Sequence, residues 1–119
     1  LVRIKAIQKR LPKKEVIELE DEFKFASFTF FHKQNLLIVG TTKINLTTKE
    51  NELLKLFCIN LNEKVDRNHA LIKIWGDDSY YNARSMDVYI AKLRKYLSHN
   101  NKVQIKTIHG HGFKLMVLD

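Results

Sequence analysis

Cysteine, proline and glycine are scarce in this chain: its 119 residues include one cysteine, one proline and four glycines. A lone Cys58 excludes an intramolecular disulfide framework, which fits a cytoplasmic protein. It lies in the apolar run 53–59 and reads as a small buried hydrophobe, not a nucleophile. Scarce glycine and proline exclude collagen-like and low-complexity chains, so Pro12, Gly40, Gly76, Gly110 and Gly112 punctuate the sequence instead of filling it. Long apolar runs are missing too. No stretch approaches the ~18 residues that mark a membrane-spanning helix, and no secretion signal is visible. No membrane association is expected. Acidic residues are outnumbered, 13 Asp and Glu against 21 Lys and Arg.

What is present is globular in character, with 45% hydrophobic and 29% charged residues, enough for one core-bearing domain and a short appendage. The net charge of +8 is unevenly spread. Residues 47–83 carry five basic against six acidic side chains, whereas residues 84–119 carry seven against two. A basic C-terminal third beside a near-neutral middle is the distribution expected if one face meets phosphates.

Residues 1–10 read as a helix fragment with Leu1, Ile4, Ile7 and Leu11 at helical spacing. Pro12 and the charged run after it begin a linker over 11–21. Residues 16–46 read as strands, overlapping the end of that linker, with Phe23, Phe25, Phe28 and Phe30 as sheet core. At Thr47 the period changes from two to 3.6. Thr47-x-x-Glu50 has the form of a capping box and opens a helix carrying Leu53, Leu54, Phe57 and Cys58. Asp66 caps a second helix with Ala70, Leu71, Ile74 and Trp75 on one side, stopped by Gly76. Residues 76–82 read as a loop, and 83–97 as a third helix with Met86, Ile90, Leu93 and Leu97 in a single apolar stripe. Residues 103–108 and 113–118 are β-like, joined by His109-Gly110-His111-Gly112. Three helices ending in a hairpin describe an α+β winged helix-turn-helix.

With that stripe turned inward, the third helix presents Arg84, Ser85, Asp87, Val88, Lys92, Arg94 and Lys95 outward. Arg and Lys at such spacing reach phosphates on both sides of a major groove. Ser85 and Asp87 offer hydrogen-bonding groups to base edges, and Val88 offers an apolar surface to a thymine methyl.

Four collinear segments resemble the OmpR/PhoB-type response regulators: Leu46-Thr47-Thr48-Lys49-Glu50-x-Glu52-Leu53-Leu54; Ile74-Trp75-Gly76; Arg84-Ser85-Met86-Asp87-Val88-Tyr89-Ile90-x-x-Leu93-Arg94-Lys95; and Ile105-x-Thr107-Ile108-x-Gly110-x-Gly112-Phe113. The resemblance covers roughly residues 22–118 as the effector domain, and residues 1–10 are similar to the tail of the last receiver helix. It implies an N-terminal four-stranded antiparallel sheet, three helices and a C-terminal β-hairpin wing. It also implies sequence-specific binding of double-stranded DNA at direct-repeat half-sites, with helix 83–97 in the major groove and wing 105–118 at the adjacent minor groove. By the same resemblance, Arg84, Tyr89, Lys92 and Arg94 match phosphate-contacting positions. Ser85, Asp87 and Val88 match base-facing ones, and Thr107 and His109 match wing contacts. Gly76, Asp77, Asp78, Ser79, Tyr80, Tyr81 and Asn82 match the loop that meets RNA polymerase. The further partners implied are a receiver domain and its sensor kinase. Two positions depart from the pattern: Ala91 and His109 stand where a basic residue and an arginine are usual.

Other chemistries find little support. Asp77-Asp78 is a solvated loop pair without further ligands. His109-x-His111 flanks a turn, with no third ligand at matched spacing. Gly110-x-Gly112 lacks the helix that a phosphate-binding loop requires. No nucleophile–base pair or acid pair can be assembled, so neither enzymatic activity nor a cofactor or metal is expected. The alternatives are a receiver-less or membrane-tethered regulator with this same domain, and a winged helix used only for protein contacts.

Overall fold

The computed structural model describes residues 17–18 and 22–118. The expected receiver tail at 1–10 and most of the linker lie outside them.

Alternating apolar residues build a meander of four antiparallel strands: β2 (Glu22–Phe25), β3 (Phe28–Phe31), β4 (Leu36–Val39) and β5 (Thr42–Asn45). The registers Phe23↔Phe30↔Leu37↔Ile44 and Phe25↔Phe28 set the aromatic stripe on one face. Phe23 stacks on Phe30 and Phe25 on Phe28 at 5.8 and 5.4 Å between ring centres. All four rings are buried, and burial of a side chain of this size is worth about 1.5–3 kcal/mol. A two-residue strand, β1 (Ile17–Glu18), adds a fifth member by pairing with β2. The sheet thus begins within the stretch read as strands from residue 16, at the end of the segment also assigned as linker.

Helix α1 (Thr48–Ile59) opens on the capping box. The Thr47 hydroxyl accepts from the Glu50 N–H, and Glu50 Oε1 accepts from the Thr47 N–H at 2.9 Å. Two polar residues on its first turn are buried. Asn51 hydrogen-bonds the His32 carbonyl at 2.7 Å and the side chains of His32 and Asn35, fastening the 3-10 turn His32–Gln34 to the helix. Glu50 Oε2 accepts from the Tyr96 hydroxyl at 3.1 Å. The Tyr96 hydroxyl is pushed up in pKa by desolvation and then by the Glu50 charge. Cys58 is buried among the core side chains, and burial raises its thiol pKa well above the ordinary value.

Asp66 caps α2 (Arg67–Ala70) by accepting from the His69 N–H, and the chain continues as a π-helical turn, Leu71–Trp75. Gly76, in the left-handed region at φ +96°, ends it with its N–H on the Leu71 and Ile72 carbonyls. The next helix, α3, spans Tyr80–Leu97, three residues more than the expected 83–97. The reason is Ser79. Its hydroxyl accepts from the Asn82 N–H, so it acts as N-cap and brings Tyr80, Tyr81 and Asn82 into the first turn. The expected loop 76–82 therefore shortens to 76–79. Asp77 Oδ1 supports the cap, accepting from the Ser79 N–H at 3.0 Å and from Asn82 Nδ2 at 2.7 Å, and these bonds hold its carboxyl below the usual range.

Strands β7 (Val103–Ile108) and β8 (Gly112–Val117) form the C-terminal hairpin. A short strand, β6 (Lys64–Asp66), joins it, giving a second sheet in the order β6-β8-β7 that no periodicity in the sequence announces. Gly112 makes this possible: a Cβ there would drive into the Val65 carbonyl. The core runs between the two sheets and includes the whole stripe Met86, Ile90, Leu93 and Leu97.

Candidate nucleic-acid interface

Helix α3 turns its apolar stripe inward and leaves Arg84, Asp87, Val88, Lys92, Arg94 and Lys95 exposed, with Ser85 and Tyr89 half-buried at the edges. Val88 is 54% exposed, an apolar group on an otherwise polar face. Arg84 is steadied from the helix start: Nη1 donates to the Tyr80 hydroxyl at 3.0 Å, and the guanidinium lies 5.6 Å from the centre of that ring. Lys92 lies 5.6 Å from the Tyr89 ring, which packs at 5.8 Å on Trp75. Behind Trp75 stands Lys49, 5.4 Å from the ring centre, with Nζ donating to the Ile74 carbonyl at 2.7 Å. The exposed cation Lys92 is thus braced through two rings against α1.

The wing lies against the C-terminal half of α3. Arg94 Nε donates to the Ile105 carbonyl at 3.0 Å, and Nη2 donates to the Thr107 hydroxyl at 2.9 Å. Two residues expected to touch DNA therefore also hold each other. Asp87 is similarly engaged, with Oδ1 3.1 Å from Arg67 Nη2. His109 and His111 are exposed at the hairpin tip, where His109 takes φ +24° and Gly110 φ +72°. Asp77 and Asp78 sit in the shortened loop, and Tyr80 and Tyr81 are among the most exposed large apolar side chains, at 73% and 82%. Nothing in the sequence singles out Arg67. Its partner Asp87 lies on another helix, and no periodicity connects the two.

The family model described as "Transcriptional regulatory protein, C terminal" matches residues 41–115. The chain belongs to this family. Members are DNA-binding domains of transcription regulators and not enzymes, and this one has the OmpR/PhoB-type winged-helix fold. It is 47% identical over 114 residues to the transcriptional regulatory protein RprY of Bacteroides fragilis, covering 96% of this chain and 48% of that protein. It is 32% identical over 116 residues to the heme response regulator HssR of Staphylococcus epidermidis, covering 97% of this chain and 50% of that protein. The chain spans about half the length of these relatives. Among solved structures, the DNA-binding domain of RstA from Klebsiella pneumoniae, in complex with the RstA box, superposes with TM-score 0.69 at 25% identity, covering 82% of this chain and 98% of that one. The Thermotoga maritima response regulator DrrB, an OmpR/PhoB homologue, superposes with TM-score 0.68 at 25% identity, covering 97% of this chain and 50% of that one. In this family member, the described residues include no helix long and apolar enough to cross a membrane, and no group of three or more His, Cys, Asp or Glu that could hold a metal ion.

Proposed function

We propose that this winged-helix domain binds duplex DNA in a sequence-specific manner as the output of a two-component response regulator, with α3 in the major groove and the β7–β8 wing at the adjacent minor groove. The observation that carries this reading is the joint presentation of one basic surface by two elements: Arg84, Lys92, Arg94 and Lys95 on α3, and the hairpin that Arg94 holds beside them. Cations spaced along a helix neutralise phosphates on both sides of a groove. Between them Ser85 and Val88 face outward to base edges, while Tyr89, Thr107 and His109 meet the backbone and the wing groove. In the full-length protein a receiver domain, reached through residues 1–21 and phosphorylated by a sensor kinase, would pair two copies on direct-repeat half-sites roughly 10–11 bp apart. The 76–79 loop and the first turn of α3, with Tyr80, Tyr81 and Asn82, would meet RNA polymerase.

The reading is tested by fluorescence anisotropy of this chain on duplexes recovered from a randomised pool, titrated across salt. Affinity should fall steeply as salt rises, because phosphate contacts release counterions. A flat salt dependence, or failure to enrich any sequence, would leave a winged helix that serves protein contacts only.

A further inference from the structure

Arg67 touches both elements of the proposed interface. Its backbone N–H donates to the His111 carbonyl at 2.9 Å, at the wing tip. Its guanidinium pairs with Asp87 on α3 at 3.1 Å, makes a longer contact of 3.5 Å to the Ala83 carbonyl, and lies 5.7 Å from the centre of the Phe113 ring at the start of β8. The side chain is 26% exposed, against 57% for Asp87, so the cation is the sheltered partner.

We infer that Arg67 is a positioning residue for DNA recognition: anchored on Asp87, it fixes the placement of α3 relative to the wing, so that both meet their grooves in one register. The inference rests on the proposed DNA-binding reading. Arg94 ties the wing to α3 through Ile105 and Thr107, and Asp87 lies about two helical turns before Arg94. Two tethers prevent the hairpin from pivoting, where one would allow it. The planar guanidinium suits the role, since it can bind a carboxylate and stack on a ring at once, which an ammonium does less well. With its donors directed at Asp87 and Ala83, it is poorly placed to neutralise a phosphate as well.

The test uses this chain, a duplex that it enriches from a randomised pool, and a scrambled duplex of equal length. Affinities across salt are measured for wild type, Arg67→Lys, Arg67→Ala, Asp87→Ala and the double alanine variant, with thermal melting as the check on folding. Arg67→Ala should weaken binding to the enriched duplex roughly tenfold, the size of one lost base-pair contact, and change the scrambled duplex little. The salt slope should stay unchanged. Asp87→Ala should behave alike, the double variant should be no worse than either, and Arg67→Lys should fall between. Equal losses on both duplexes, with a slope reduced by about one, would make Arg67 a phosphate contact and overturn the inference. Additive losses in the double variant would overturn it too. If Arg67→Ala fails to fold, the Arg67→Lys and Asp87→Ala pair decides by the same criteria. A wild-type chain that enriches no sequence defeats the DNA-binding reading itself, a result distinct from these.

Discussion

The Arg94 guanidinium bridges to the Thr107 hydroxyl at 2.9 Å, joining the exposed face of α3 to the first strand of the wing. A second bond, to the Ile105 carbonyl, comes from Nε of the same side chain. Thr107→Val removes only the hydroxyl and should cost about 0.5–1.5 kcal/mol of stability. Arg94→Ala removes both bonds and should cost more. Urea unfolding of the two variants checks the order, and equal costs would contradict it.

Val88 and Ile90 lie two positions apart on α3 with opposite exposures, 54% and 2%. Val88→Ala should leave stability within about 0.5 kcal/mol of wild type and shift preference at one base pair by roughly 1–3 kcal/mol. Ile90→Ala should instead destabilise the fold by about 2–5 kcal/mol. Denaturant melts paired with binding to single-base-pair variants of an enriched duplex separate the two effects.

Gly112 pairs with Asp66 where β8 runs antiparallel to β6, with no room for a side chain beside the Val65 carbonyl. Gly112→Ala should force the strands apart and destabilise by about 1–3 kcal/mol or more, the usual order for overpacking. Gly110, where a Cβ would meet open space but φ is +72°, should cost only about 1–2 kcal/mol as alanine. Thermal melting of the two variants, with Gly110→Ala the milder, checks the difference.

His109 stands at the exposed wing tip, at a position where the OmpR/PhoB resemblance leads one to expect arginine. His109→Arg places a guanidinium cation at the tip and should tighten DNA binding with a steeper salt dependence. Anisotropy at fixed ionic strength checks it, and unchanged affinity would mean that the tip does not reach the duplex.

Asp77 supports the start of α3 through Ser79 and Asn82, and its carboxyl is held below the ordinary range by those bonds. A depressed pKa contributes stability that is complete above the ordinary Asp value of about 3.9 and is lost as pH falls through the folded value. The Asn82 amide should therefore shift in acid titration by NMR, and Asp77→Asn should abolish that shift.

Much of the fold was legible because local chemistry repeats. The stripe Met86, Ile90, Leu93 and Leu97 has one solution as an amphipathic helix, and all four side chains are buried. Thr47 and Glu50 announced a capping box three residues apart, and Phe23 to Phe30 announced a sheet by alternation. Family resemblance supplied the groove assignments, which periodicity alone does not contain. Tertiary structure decided what depends on residues distant in sequence. β6 joins the wing only because the edge of β8 was free to pair, whereas the start of α3 at Ser79 rests on a local cap that the sequence carries inside a loop-like run. Asp87 and Arg94 look like plain groove residues in sequence, but folding brings Arg67, Ile105 and Thr107 to them. A periodicity describes one element's face; which partner that face meets is settled only when the elements pack.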